Sequence, residues 1–193
     1  MFIQPGPLRG QHVLLEPLTL EHTAALQRAV ADGESWKLWY ASVPTPDAMP
    51  EYVQRALHGM EQGNLAYAVR SLASGEIVGC TRYYDIDTAN RRPLIGYPWY
   101  ADAARRTPIN SESKLLLLQH LFEAAGAIAV EFRTHFFNQA SRTAIERLGA
   151  KQDGVLRSHQ ILPDGSIRDT VVYSIVASEW PAVKNNLLSR LAG

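Results

Sequence analysis

The chain has 193 residues, enough for one domain with a sizeable core, and no segment looks like a linker between two. Lysine plus arginine number 19 and acidic residues also 19, so no bulk charge draws it to nucleic acid or an anionic membrane, and any partner is recognised locally. The single cysteine, Cys80, excludes an internal disulfide and a thiolate zinc cluster, the six histidines show no metal-ligand spacing, and no metal is expected.

The Pro/Gly-rich lead from Gln4 to Gly10 reads as irregular, and no apolar run is long enough for a signal peptide or a membrane span. A reducing, cytoplasmic setting is the expectation. His12 to Leu18 reads as a first strand, and Thr19 as the N-cap of a helix from Leu20 to Ala31 with apolar residues at helical spacing. Glu34 to Pro50 carries Trp36, Trp39 and Tyr40 followed by three prolines, which predicts a loop or short turns. A second helix spans Met49 to Gln62 and stops at Gly63.

Leu65 to Leu72 and Glu76 to Asp85 predict a hairpin, and Pro93 to Tyr100 a third strand of the series. Pro98 within it cannot donate a ladder hydrogen bond, so it marks an edge, a bulge or a place where neighbouring strands part. A helix from Ser111 to Ala125 follows, then a strand from Ala127 to Phe136. Asn138 and Gly149 fit the N-cap and C′ of a short helix ending at Leu148. Strands from Gln152 to Leu162 and Ser166 to Val176 flank the turn Pro163-Asp164-Gly165, and a helix from Ser178 to Leu191 closes the chain.

Two stretches carry chemistry. The loop Ala101 to Ile109 sets Arg105 and Arg106 ahead of a helix opening at Asn110 or Ser111, where free N–H groups, the dipole and two guanidinium groups suit an anion. Two solvated arginines before a capped helix would look the same. Asn138 and Ser141 fit a helix cap equally well as a site.

The order of elements, the stretch Arg105, Arg106, Thr107, Pro108, Ile109, Asn110, Ser111, Glu112, and the pattern Asn138, Ser141, Glu146, Arg147, Leu148, Gly149 together resemble the GNAT superfamily. Within it they are most similar to the ribosomal-protein N-terminal acetyltransferase-like branch. The resemblance spans nearly the whole chain. It implies an α+β, three-layer fold with a mixed, mostly antiparallel sheet of about seven strands, the fourth and fifth splayed apart, and a single domain over residues 1–193. The activity implied is acyl-CoA-dependent N-acyl transfer, with acetyl-CoA as cosubstrate, to a small-molecule or peptide amine; a homodimer is compatible with it. Arg105, Arg106, Thr107, Ile109, Asn110, Ser111, Asn138, Ser141 and Arg142 are then the CoA contacts. Ser141 is the general acid, and Trp36, Trp39 and Tyr40 form a wall of the acceptor cleft.

Three departures from the family pattern stand out. Pro108 and Asn110 occupy the usual glycine positions of the phosphate loop, and Pro108 has no N–H to give. Ile145 replaces the commoner tyrosine. Leu94 and Arg133 stand where family members often carry a glutamate, so the acceptor's base is left between Glu131 and Asp85, with His135 close to the expected acyl position. A GNAT-fold module that binds CoA without turnover is the alternative these departures motivate.

Overall fold

The structure, a computed structural model, describes residues 2–192. One eight-stranded sheet runs in the order β1-β2-β3-β4-β5-β6-β8-β7. Its strands are β1 (Leu8–Arg9), β2 (Val13–Pro17), β3 (Leu65–Ser71), β4 (Ile77–Asp87), β5 (Arg92–Tyr100), β6 (Ala129–His135), β7 (Lys151–Ile161) and β8 (Ile167–Val176). The extra strand beyond the predicted seven is β1, a two-residue pairing of Leu8 and Arg9 with Leu15 and Leu14 inside the lead expected to be irregular.

The helices are α1 (Thr23–Ala31), α2 (Met49–Glu61), α3 (Pro108–Gln119), α4 (Gln139–Leu148) and α5 (Trp180–Ala192). Helices α1 and α2 cover one face of the sheet and α3, α4 and α5 the other. β3 displays why both faces must be covered: Ala66 and Ala68 pack under α1 and α2, while Tyr67 and Val69 point into the larger core with α3. A strand buried on both sides needs apolar residues in succession rather than alternation. The small alanines let the α1–α2 layer lie close.

Every neighbouring pair is antiparallel except β5 and β6, which are parallel and register only at Leu94 and Glu131. Beyond that contact the strands diverge, as the sequence led us to expect around Pro98. The ladder cannot continue there, because Pro98 has no N–H and Tyr97 takes a left-handed backbone with φ +54. The sheet is thus two hydrogen-bonded halves joined at one end, and α3 and α4 begin at the open end.

Helix α3 starts earlier than predicted, at Pro108, and its α geometry gives way at His120 to a π turn through Ala124 before Gly126 reverses the chain at φ +69. Thr107 is the N-cap, its hydroxyl accepting from the Ile109 N–H at 3.4 Å and donating to the Ala104 carbonyl at 2.6 Å. Proline at the first helical position gives up only an N–H that has no intrahelical partner.

Candidate active site

The start of α3 revises the roles expected of the 105–112 stretch. Arg105 is committed elsewhere: its guanidinium pairs with Asp102 at 2.8 Å and donates to the Ser35 hydroxyl, tying the loop to the segment after α1. Arg106, held at φ +59, instead turns onto a cavity of about 330 Å³. A non-glycine residue in that conformation costs about 1 kcal/mol or more, and such strain concentrates where a side chain must be aimed. Thr107, Asn110 and Ser111 line the same cavity from the first turn of α3, with Arg147 of α4 and Arg190 of α5 opposite. The Ile109 side chain is buried in the core, so only its backbone lies at this helix start.

Glu112 has no part in that cavity. Its carboxylate is buried beneath the β1–β2 turn and accepts the N–H groups of Gln11, His12 and Val13 at 2.8, 2.7 and 2.9 Å. The turn closes directly over it at Gly10, where a Cβ would fall 2.4 Å from the carboxyl carbon. Glu112 therefore ties α3 to the first strands.

The gap between β5 and β6 opens into a second cavity of about 490 Å³. Asn138 caps α4, its Oδ1 accepting the Ser141 N–H at 3.0 Å, and both residues line the gap. The cap reading and the site reading of this pair are compatible, because the cap holds Ser141 in the cavity wall. Arg142 is turned away and does not line the cavity. Its Nε donates to the Tyr173 hydroxyl at 3.1 Å, which donates on to Glu146 at 2.9 Å, and its guanidinium lies over the Phe136 ring. Arg142 thus fastens α4 to β8.

Of the three aromatic residues expected at the acceptor cleft, Tyr40 lines the cavity. Trp39 is more than half exposed and sets its ring edge-on to His135, centroids 4.9 Å apart. Trp36 packs against the core beneath α1 and α2 and is not part of the cleft. The opposite wall, absent from the sequence-based site, comes from the β7–β8 hairpin: His159, Gln160, Arg168 and Thr170. Nothing local marks these residues. They arrive because β8 crosses to lie beside β6.

The two candidate carboxylates separate cleanly. Glu131 is buried, clasped by Arg133 at 2.5 Å and Arg92 at 3.3 Å, and does not line the cavity. Asp85, at an irregularity of β4 where the backbone is left-handed at φ +46, lines the cavity and has Arg133 no closer than 3.9 Å. His135 is 3% exposed; its Nδ1 accepts the Phe137 N–H at 3.0 Å, and its buried Nε2 has no partner among the described residues. Burial, with the Arg168 charge nearby, holds its pKa below the usual histidine value. An acceptor at Nδ1 in a neutral ring requires the hydrogen on Nε2, a donor buried in the cleft wall. Cys80 lies against the Tyr52 hydroxyl at 3.2 Å, and burial pushes its thiol up to about 11, which makes it a packing group rather than a nucleophile.

The sequence model described as Acetyltransferase (GNAT) domain matches residues 12–151. A GCN5-related N-acetyltransferase from Brucella melitensis superposes with a TM-score of 0.87 at 29% identity, over 97% of this chain and 86% of that one. A protein from T. thermophilus, provisionally described as an acetyltransferase, is 34% identical, with a TM-score of 0.85 over 99% of this chain and 100% of the other. Mycobacterium smegmatis RimJ, solved in complex with CoA-disulfide, shares the fold at 22% identity and a TM-score of 0.76, over 96% and 93% of the two chains. A search of curated proteins gives no match. With the family model covering well over half of its length, and with the parted strands that the resemblance led us to expect, this chain belongs to the GNAT family of acetyltransferases.

Proposed function

We propose that this chain transfers an acetyl group from acetyl-CoA directly to a primary amine, on a small molecule or a peptide amino terminus. The observation that carries the reading is the divergence of β5 and β6 beyond Leu94 and Glu131, with Ser141 in the wall of the gap. Two strands that part leave backbone donors and acceptors unpaired, and an extended molecule bearing amides can take the place of the missing strand.

The residues fit CoA. Arg106, the first-turn N–H of Asn110, the Ser111 hydroxyl, and Arg147 and Arg190 would hold its phosphates by charge-assisted hydrogen bonds at the positive end of α3. The absence of glycines costs little here, since Pro108 sits where no N–H is needed. Bound acetyl-CoA supplies an activated thioester carbonyl. The chain's own contribution is chiefly alignment of that carbonyl with the amine. Asp85 is assigned the proton of the incoming ammonium, and the Ser141 hydroxyl gives a proton to the departing sulfur. One C–N bond forms and one C–S bond breaks; the ammonium nitrogen gives up two protons in all, the first to Asp85 and the second, released as the amide forms, restoring the Ser141 hydroxyl that has protonated the sulfur.

Calorimetric titration with acetyl-CoA, followed by a thiol-release assay against a panel of amines, tests this reading. Saturable binding together with amine-dependent thiol release is the expected result. Binding with no thiol release from any amine would favour a CoA-binding module instead.

A further inference from the structure

The acceptor end of the cleft contains a guanidinium with nothing to neutralise it. Arg168, at the start of β8, lines the 490 Å³ cavity and is only partly exposed. Its Nε donates to the Thr170 hydroxyl at 2.9 Å, and among the described residues no carboxylate lies within ion-pair distance of it. The neighbouring charges are already matched: Arg133 by Glu131, and Asp169, next in sequence, by Arg157 at 2.7 Å. Thr170 pairs with His135 across β6 and β8, so Arg168, two residues earlier, projects on the same face just past the end of β6. It thus stands on the His135 side of the cleft, near enough for its charge to help lower the imidazole pKa.

From this arrangement, and resting on the N-acyltransferase reading above, we propose that the acceptor amine carries a carboxylate, which Arg168 binds in the cavity wall. With Nε engaged by Thr170, the terminal nitrogens remain to grip a planar two-oxygen anion. Burial already presses the Arg168 pKa below the ordinary arginine value, and a carboxylate partner offsets that cost. The phosphates of CoA are accounted for elsewhere, at the start of α3. Two sources share this chemistry: a free amino acid, and a short peptide with an acidic residue next to its amino terminus.

The test pairs each acceptor with its uncharged counterpart: amino acids against their amides, and dipeptides ending in aspartate or glutamate against those ending in asparagine or glutamine amides. The wild-type protein is expected to favour the carboxylate member by about 10- to 100-fold in kcat/KM, the range of a charge-assisted hydrogen bond. Arg168→Gln is expected to collapse that preference to within about 3-fold, and Arg168→Lys, which keeps the charge without the fork, to retain part of it. Whichever pair shows the larger ratio identifies the source.

Calorimetry of the CoA-loaded protein with the same pairs gives a readout independent of turnover, and acetyl-CoA affinity and melting temperature report whether each variant is folded. If the Gln variant melts early, the Lys variant decides: a preference reduced but not abolished with an intact fold assigns the contact, and an unchanged preference overturns it. Equal use and equal binding of acid and amide by a protein that turns over acetyl-CoA would overturn this proposal and leave the transferase reading standing. Carboxylate binding that depends on Arg168 without any turnover would do the reverse.

Discussion

Lys114 is the sharpest test of how this core is balanced. It lies on α3, 6% exposed, with its Nζ buried and unpartnered among the described residues. Burial pushes its pKa from the ordinary 10.5 to about 8. Near pH 7 the ammonium is charged in both folded and unfolded chains, so the folded state carries the full cost of desolvating it. At about 1.4 kcal/mol per pH unit, that is roughly 3 kcal/mol. Lys114→Met keeps the stem and removes the charge, and after allowance for imperfect packing it is expected to stabilise the protein by about 2 kcal/mol, or about 4–8 °C in Tm. The sign with pH follows from the unfolded chain's greater proton uptake between about 8 and 10.5: wild-type stability recovers as pH climbs through that window. The advantage of Met therefore falls through zero near about pH 10, leaving only its packing loss above about pH 11. Buried groups that do not feel Lys114, such as the Tyr67 hydroxyl, cancel in the difference. Urea denaturation at pH 7, 8.5 and 10 measures it. A Met variant less stable than wild type at pH 7, or an advantage that does not shrink with pH, would refute the reasoning.

Three further outcomes are expected. Glu112→Ala leaves three N–H groups of the β1–β2 turn without their acceptor and should cost about 3 kcal/mol in urea denaturation; a loss below about 1 kcal/mol would contradict the clamp. Arg106→Gly relieves the left-handed backbone and removes a guanidinium, so Tm should rise by a few degrees, from about 1 kcal/mol, while acetyl-CoA affinity falls roughly tenfold by calorimetry. Ser141→Ala keeps the backbone N–H that Asn138 caps, and kcat should drop by about 10²-fold or more with acetyl-CoA affinity within about 3-fold; a parallel loss of both would mark Ser141 as a structural cap alone.

Local chemistry made much of this fold readable. Gly149, at φ +106, ends α4 where a left-handed residue was expected, and the turn at Pro163–Gly165 joins β7 to β8. Pro98 marked an edge, a bulge or a parting because a missing N–H is a property of the residue itself, and both a bulge against β4 and the parting from β6 occur beside it. Pro108 misled for a related reason: proline reads as loop, yet the first position of a helix suits it well. The roles of Glu112, Arg105 and Arg168 could not be read, since each depends on whether a partner is nearby in space. Glu112 meets residues about 100 positions away, Arg105 is neutralised by Asp102, and Arg168 matters through the lack of any such neighbour.

The one-ended junction of β5 and β6 has a mechanical consequence. A sheet cut for most of one seam resists shear and opening through its helices and the Leu94–Glu131 contact rather than through a continuous ladder. An occupant that bridges the seam would act as a splint, coupling the β1–β5 half to the β6–β8–β7 half. Amide exchange would then slow along both banks of the gap, from Ile95 to Trp99 and from Phe132 to His135, at positions no occupant touches as well as at those it does.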